Sequence, residues 1–336
     1  MTKRKKRPPT RRQRPSVRSP FPPRVQFATS PVVGTNGRVP KAAQPRPTEP
    51  TFLHIWVMTQ ERKFSSKQEF EAFLSSSMTP GEKPHFPEPT LPWHKAQSLA
   101  YEGWEEESAR QRRKIAQQAL ALSADAVDGH LLLAHDATSW QEAARFCAQA
   151  VTAGERLMGP DPFRTYAGRF WDAAITRPYM RARLALGYAL WRQGERAEAQ
   201  AHFEGLLRLN ANDHQGARYL LTAVLLEQGK EGEALRVMNR YPRDGLCFWA
   251  YNRLLGQFHR RGDHLATHRE MELAVSINPF VPILLLTRQQ ISSWELLAME
   301  PGKRSEAMEY VQLYSGAWAM EPGALEWLEQ KVSAGL

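Results

Sequence analysis

Histidines and cysteines are the usual carriers of chemistry, and in this chain their spacing is poor for it. His264 and His268 lie four residues apart, with His259 and Asp263 close by. On a helix that spacing sets two imidazoles on one face, as in many zinc sites. Histidines after an Arg-Gly-Asp turn are more commonly just hydrated. His130, His135 and Asp136 form a second, weaker group. Cys147 and Cys247 offer neither disulfide nor metal spacing, and both fall where helical repeats pack small apolar side chains. The sequence contains no glycine-rich phosphate loop, no dinucleotide fingerprint and no His-Glu-x-x-His helix. The expectation is a protein that is not an enzyme and uses no cofactor or metal.

Arginines and aromatics are better placed to do work. Arg181, Tyr188, Trp191 and Arg192 fall in one stretch, Tyr219 and Glu227 in the next, and Trp249, Asn252, Arg253, His259 and Arg260 in a third. Arg and aromatic side chains most often anchor interfaces, and guanidinium forks pair with carboxylates. Set along one concave groove, they suit an acidic or carboxylate-terminated peptide. The groove lacks the Lys and Asn pattern of a chaperone-tail clamp, whose asparagine positions fall at Tyr188, Ala223 and Gly256.

The elements that must position these residues show in a recurring turn. Gln193-Gly194-Glu195, Gln228-Gly229-Lys230 and Arg261-Gly262-Asp263 place their glycines at a spacing close to the ~34 residues of a tetratricopeptide repeat. Each glycine separates two apolar helical stretches, so the unit is helix, turn, helix. Such a unit cannot bury its apolar face alone and must stack on its neighbours. Residues 180–213 fit best, with Leu186-Gly187, Leu190, Ala199 and Phe203 in the repeat's skeleton positions. Gly187 and Ala199 let the helices approach, while Leu186, Leu190 and Phe203 fill the seam. A second unit runs from His214 to about Arg243 and a third from Leu246 to Asn278-Pro279. A fourth starts at Val281-Pro282-Ile283, is interrupted near Glu300-Pro301-Gly302, and resumes through Ala307 to Met320. Less regular pairs precede these, one closing near Ala124-Asp125 and another over His130 to Val151. An insertion at 154–179 carries Phe163, Arg164, Tyr166, Arg169, Phe170, Trp171, Arg177 and Tyr179.

The net charge of +10 on 336 residues is unevenly spread. Met1 to Thr48 holds 13 of the Lys and Arg, and Glu49 is the first acidic residue. The rest of the chain is slightly acidic. The first 50 residues also hold 11 of the 24 prolines, a composition too poor in apolar side chains to offset the entropy of ordering. Residues 1–50 are therefore expected to be a disordered basic tail. Lys3-Arg4-Lys5-Lys6-Arg7 and Arg11-Arg12-Gln13-Arg14 suit nucleic acid, ribosomes or an anionic membrane by counter-ion release, with a merely solvated tail the bland alternative. Residues 51–92 read as a small appendage and linker: Phe52 to Met58 as strand or buried helix, Ser65-Ser66 capping a helix near 67–75, and 78–92 as a proline-rich connection. Residues 93–333 read as the helical repeat domain. No apolar stretch reaches the ~20 residues of a membrane span and no secretory signal is evident, so a cytoplasmic, reducing setting is expected.

Several stretches resemble the suppressor-of-tumorigenicity-seven family and its bacterial tetratricopeptide relatives. They are Gln118-Ala119-Leu120 with Gly129-His130-Leu131-Leu132-Leu133-Ala134, Ala153-Gly154-Glu155, Arg169-Phe170-Trp171, Thr176 to Arg183, Leu207 to Asp213 and Ile277 to Pro282. The resemblance covers about 95–330. It implies a tetratricopeptide-like helical protein, with protein binding as its usual role and no catalytic residues. The eukaryotic relatives carry amino-terminal membrane spans, which this chain lacks, so a membrane role does not carry over. Together these observations predict an all-α, right-handed α-solenoid of helical hairpins acting as a protein-interaction scaffold, with nucleic-acid or ribosome association through the tail as the alternative.

Overall fold

Apolar side chains at helical spacing, broken by glycine, proline and capping residues, leave this chain little choice but helices. The computed structural model describes residues 39–62, 64–77, 86–287 and 299–334. These are all-helical, with no β-strand among them. A 3₁₀ turn at Lys41–Ala43 precedes α1 (Glu49–Glu61), α2 (Lys67–Ser77), α3 (Pro92–Trp104) and α4 (Ala109–Leu122). Next come α5 (Val127–His135), α6 (Trp140–Met158) and the short α7 (Asp161–Thr165). The regular middle is α8 (Arg177–Gln193), α9 (Arg196–Leu209), α10 (Ala217–Glu227), α11 (Glu231–Arg240), α12 (Cys247–Arg261) and α13 (Leu265–Ile277). The chain closes with α14 (Phe280–Thr287), α15 (Arg304–Met320) and α16 (Ala324–Ser333).

Local chemistry explains the boundaries. Ser139 Oγ accepts from the Glu142 amide at 3.1 Å while Glu142 reaches back to the Thr138 amide at 2.8 Å, a reciprocal cap that starts α6. Proline stands in the first turn of α3 and α8, where its missing N–H costs nothing. The three turn glycines all sit at positive φ: +93° at Gly194, +66° at Gly229 and +58° at Gly262. Side chains with a Cβ rarely adopt that conformation.

Sequential helices pack as pairs, α8 on α9, α10 on α11 and α12 on α13. At Gly187 a Cβ would stand 2.8 Å from the Phe203 ring, so α8 and α9 touch there only because the side chain is missing. Ala199 and Phe203 are fully buried opposite it. One apolar core runs from Val39 and Ala43 through α5, α6 and α8 to Leu328 and Val332 of α16. A separate, smaller cluster joins Leu53 and Val57 of α1 to Tyr101 of α3 and to Ala173, Ala174 and Ile175. Between α6 and α8 the expected insertion forms α7 and two 3₁₀ turns, Phe170–Asp172 and Ala174–Thr176. Phe170 and Trp171 are buried within it.

Two expectations are corrected. Composition predicts a disordered tail over residues 1–50, but the fold begins by residue 39: Val39, Ala43 and Glu49 are all buried. The compositional argument averaged over a boundary, and a few apolar residues were enough to dock a segment that an existing surface could receive. Residues 1–38 and the linker residues 78–85 lie outside the described residues. The second correction concerns α15, which does not simply extend the array. It packs on α14 and also turns back against α10 and α12.

Candidate peptide-binding face

The first helices of the three regular pairs, α8, α10 and α12, carry the residues expected to line a groove. Arg181, in the second turn of α8, has no exposed surface. Its Nη1 pairs with the Glu49 carboxylate, its Nη2 donates to Asp128 Oδ2 at 2.6 Å, and Nη2 also meets the Tyr101 hydroxyl at 3.3 Å. Asp128 of α5 takes two more donors, Gln97 Nε2 at 2.5 Å and Trp104 Nε1 at 2.8 Å. Burial disfavours the guanidinium's charge, but Asp128 and Glu49 outweigh it and hold Arg181 firmly protonated. Burial likewise pushes the Tyr101 hydroxyl well above its usual range.

Trp191 is buried, and its Nε1 donates to Glu227 Oε2 at 2.9 Å, beside Arg196 Nε at 2.8 Å. Tyr188 is half-buried, edge-on to Trp140 at 5.8 Å, and it faces Glu309 and Gln312 of α15. Arg192, also half-buried, lies over the Trp140 ring at 5.6 Å. Tyr219 donates its hydroxyl to Asp244 at 2.6 Å beneath the Arg218 guanidinium, 4.2 Å above its ring. Trp249 is buried and donates to the Tyr241 carbonyl at 3.0 Å. Asn252 is 1% exposed and accepts from the Tyr310 hydroxyl at 3.2 Å. Of the eight expected binding residues, Arg253 alone is exposed.

Arg181, Trp191, Trp249 and Asn252 therefore cannot meet an incoming peptide as the chain stands, because other parts of the chain cover them. Over α10 and α12 the cover is α15. Its Tyr310, Tyr314 and Trp318 are fully buried. Tyr310 and Tyr314 stack at 4.7 Å and both abut Phe248 of α12, while Trp318 Nε1 donates to the Tyr310 hydroxyl at 2.8 Å. Glu306 Oε1 accepts the Cys247 amide at 2.8 Å at one end of α12, and His259 Nδ1 meets Glu321 at 2.7 Å near the other. The two helices thus run side by side, start against start. Gly316 admits the Glu227 carboxylate, whose Oε1 would stand 2.3 Å from any Cβ there. Over the start of α8 the cover is the Lys41–Ala43 turn together with Glu49, while Trp191 farther along is closed off by Glu227 of α10.

The other groups considered for chemistry have structural partners. His264 Nδ1 accepts the Ala266 amide at 3.1 Å and caps α13. His268 pairs with Asp263, which also receives Trp327 Nε1 and Lys331 Nζ at 3.0 Å each and so ties α16 to the α12–α13 turn. His130 Nε2 lies 3.1 Å from the Ala124 carbonyl. Asp136 forms a two-pronged pair with Arg112. Cys147 and Cys247 are buried, and burial pushes both thiols up. Among the described residues no His, Cys, Asp or Glu cluster could hold a metal ion, and no single helix is long and apolar enough to cross a membrane.

Sequence reasoning missed Glu49, Asp128 and the α15 aromatics. The last had a signal: Tyr310, Tyr314 and Trp318 are spaced by four, one stripe of a helix. The chain matches no protein-family model, no curated protein and no solved structure.

Proposed function

We propose that this chain is a protein-interaction scaffold, a tetratricopeptide-like, right-handed α-solenoid related to the family it resembles. The observation that supports this reading is the grip of Arg181 on Glu49. On the first-helix face a buried guanidinium takes a carboxylate carried by a separate stretch of polypeptide, which is the recognition expected of the groove with the chain's own segment as ligand. The paired helices and their positive-φ glycine turns support the repeat architecture. What stays open to a partner on that face is the exposed Arg253 and the half-buried Arg192 and Tyr188 beside Trp140.

Cross-linking of the full chain in its native cell extract, repeated with Arg253→Glu and Arg192→Glu, tests the reading. A partner cross-linked near these residues and lost in the variants supports it. No partner above background, with the variants indistinguishable from the parent, rejects it.

The second reading rests on the 13 Lys and Arg that precede Thr48. Such a segment binds RNA or a ribosomal surface by releasing counter-ions.

A further inference from the structure

Residues 39–61 lie on the rest of the chain as a ligand lies on a receptor. Val39 and Ala43 are buried, with the Lys41–Ala43 turn packed on α8. Glu49 follows with its carboxylate on Arg181. Leu53 and Val57 then fill the small apolar cluster formed by Tyr101, Ala173, Ala174 and Ile175, which stands apart from the main core. The seat comes from α3, α8 and the 170–176 turns, so the insertion between the repeats acquires a purpose: its Ala173-Ala174-Ile175 run supplies three of the four buried floor residues.

The charges of this seat call for a carboxylate from the segment. Arg181 and Asp128 alone form a neutral buried pair, and Asp128 is further satisfied by Gln97 and Trp104. Glu49 adds a second carboxylate to a cluster with no solvent exposure on Arg181 and Asp128. Among the described residues it alone pairs with Arg181 Nη1, so whatever fills the seat must bring a carboxylate to that guanidinium. The rim selects for acid. Arg177 is half-buried, lies over Phe52 at 5.4 Å and Trp171 at 5.5 Å, and makes no ion pair among the described residues.

We propose that this seat is a docking site for an acidic amphipathic helix of a partner protein, and that residues 39–61 are its resident occupant. The partner segment carries a carboxylate with apolar side chains four and eight positions after it, as Glu49, Leu53 and Val57 do. This deepens the scaffold reading and rests on it, by naming the class of segment recognised.

The test uses the full chain with a protease recognition sequence inserted between the exposed Ser65 and Ser66, cut after folding. The probe is a fluorescein-labelled synthetic peptide of residues 38–62, followed by anisotropy, with helix content monitored by circular dichroism. The cut protein should keep its helix content and exchange its resident fragment for the labelled peptide. Peptides carrying Glu49→Gln or Leu53→Asp should compete about tenfold worse or more. Loss of helix content on cutting, no exchange under excess peptide, or equal competition by a scrambled peptide would each overturn the proposal. None of these outcomes bears on cross-linking at Arg253 and Arg192, so the scaffold reading stands or falls separately.

Discussion

The Tyr314 hydroxyl lies 2.8 Å from the Thr222 hydroxyl, joining α15 to α10 across 92 residues of sequence. The same oxygen donates to the Tyr219 carbonyl at 3.0 Å. This junction makes α15 part of the core of the carboxy-terminal half rather than its last layer. Tyr314→Phe removes only the hydroxyl, and Thr222 keeps its bonds to the Arg218 and Tyr219 carbonyls. It should cost about 1 kcal/mol, whereas Tyr314→Ala should cost about 3–5 kcal/mol through the cavity it leaves. Urea titration of the two variants checks the ratio.

Arg181→Ala should be among the most damaging single changes. It strands the Glu49 and Asp128 carboxylates in the interior, a loss of about 3–5 kcal/mol. Glu49→Gln keeps the segment's shape and leaves Arg181 with Asp128, so it should cost far less. A fall in melting temperature as large for Glu49→Gln as for Arg181→Ala would contradict this account of the charges.

Gly187→Ala should destabilise by about 1–3 kcal/mol, because the new methyl meets Phe203 at 2.8 Å and the His202 Cβ at 3.1 Å. Pairing it with Phe203→Leu should recover part of the loss if the α8–α9 contact is the cause. A double-mutant cycle by chemical denaturation reads the coupling.

Two histidines should make the fold sensitive to mild acid. Burial pushes His94 down to about 4, with the neighbouring His54 adding to it, and burial pushes His202 down to about 4, with Arg183 adding to it. In the folded chain both stay neutral, while the unfolded chain protonates them near 6.5. Their contribution to stability should therefore fall as pH drops from about 6.5 to about 4 and level off below. The unfolded state binds the extra protons across that window. His94→Gln with His202→Gln should flatten the melting temperature over the same range.

RNA binding should belong to residues 1–38, since residues 39–48 are engaged in the fold. Deleting 1–38 should abolish affinity and its salt dependence together. An unchanged slope of binding against salt after that deletion would remove the nucleic-acid reading.

The glycine turns, the paired helices and the seam at Gly187 could all be read from spacing, because each follows from contacts within some 35 residues. The candidate face could not. Arg181 and Trp191 fall on α8 and Asn252 on α12, as their spacing predicts, but what covers a helix face is decided by segments far along the chain. Glu49 sits at the edge of a proline-rich basic stretch, and nothing local marks it as the partner of Arg181. The stripe of Tyr310, Tyr314 and Trp318 announces burial without saying against what. Composition misjudged residues 39–50 for the same reason: their order is lent by α8 and Arg181.

The position of α15 also has a consequence for synthesis. The polypeptide leaves the ribosome with α10 and α12 complete long before Tyr310 and Tyr314 exist to cover Phe248 and Thr222. For that interval the growing chain holds paired helices with an open apolar trough, the kind of surface that chaperones hold and that aggregates grow from. A message stalled before residue 304 should yield nascent chains that are helical yet sticky, and completion of α15 is the event that makes them safe to release.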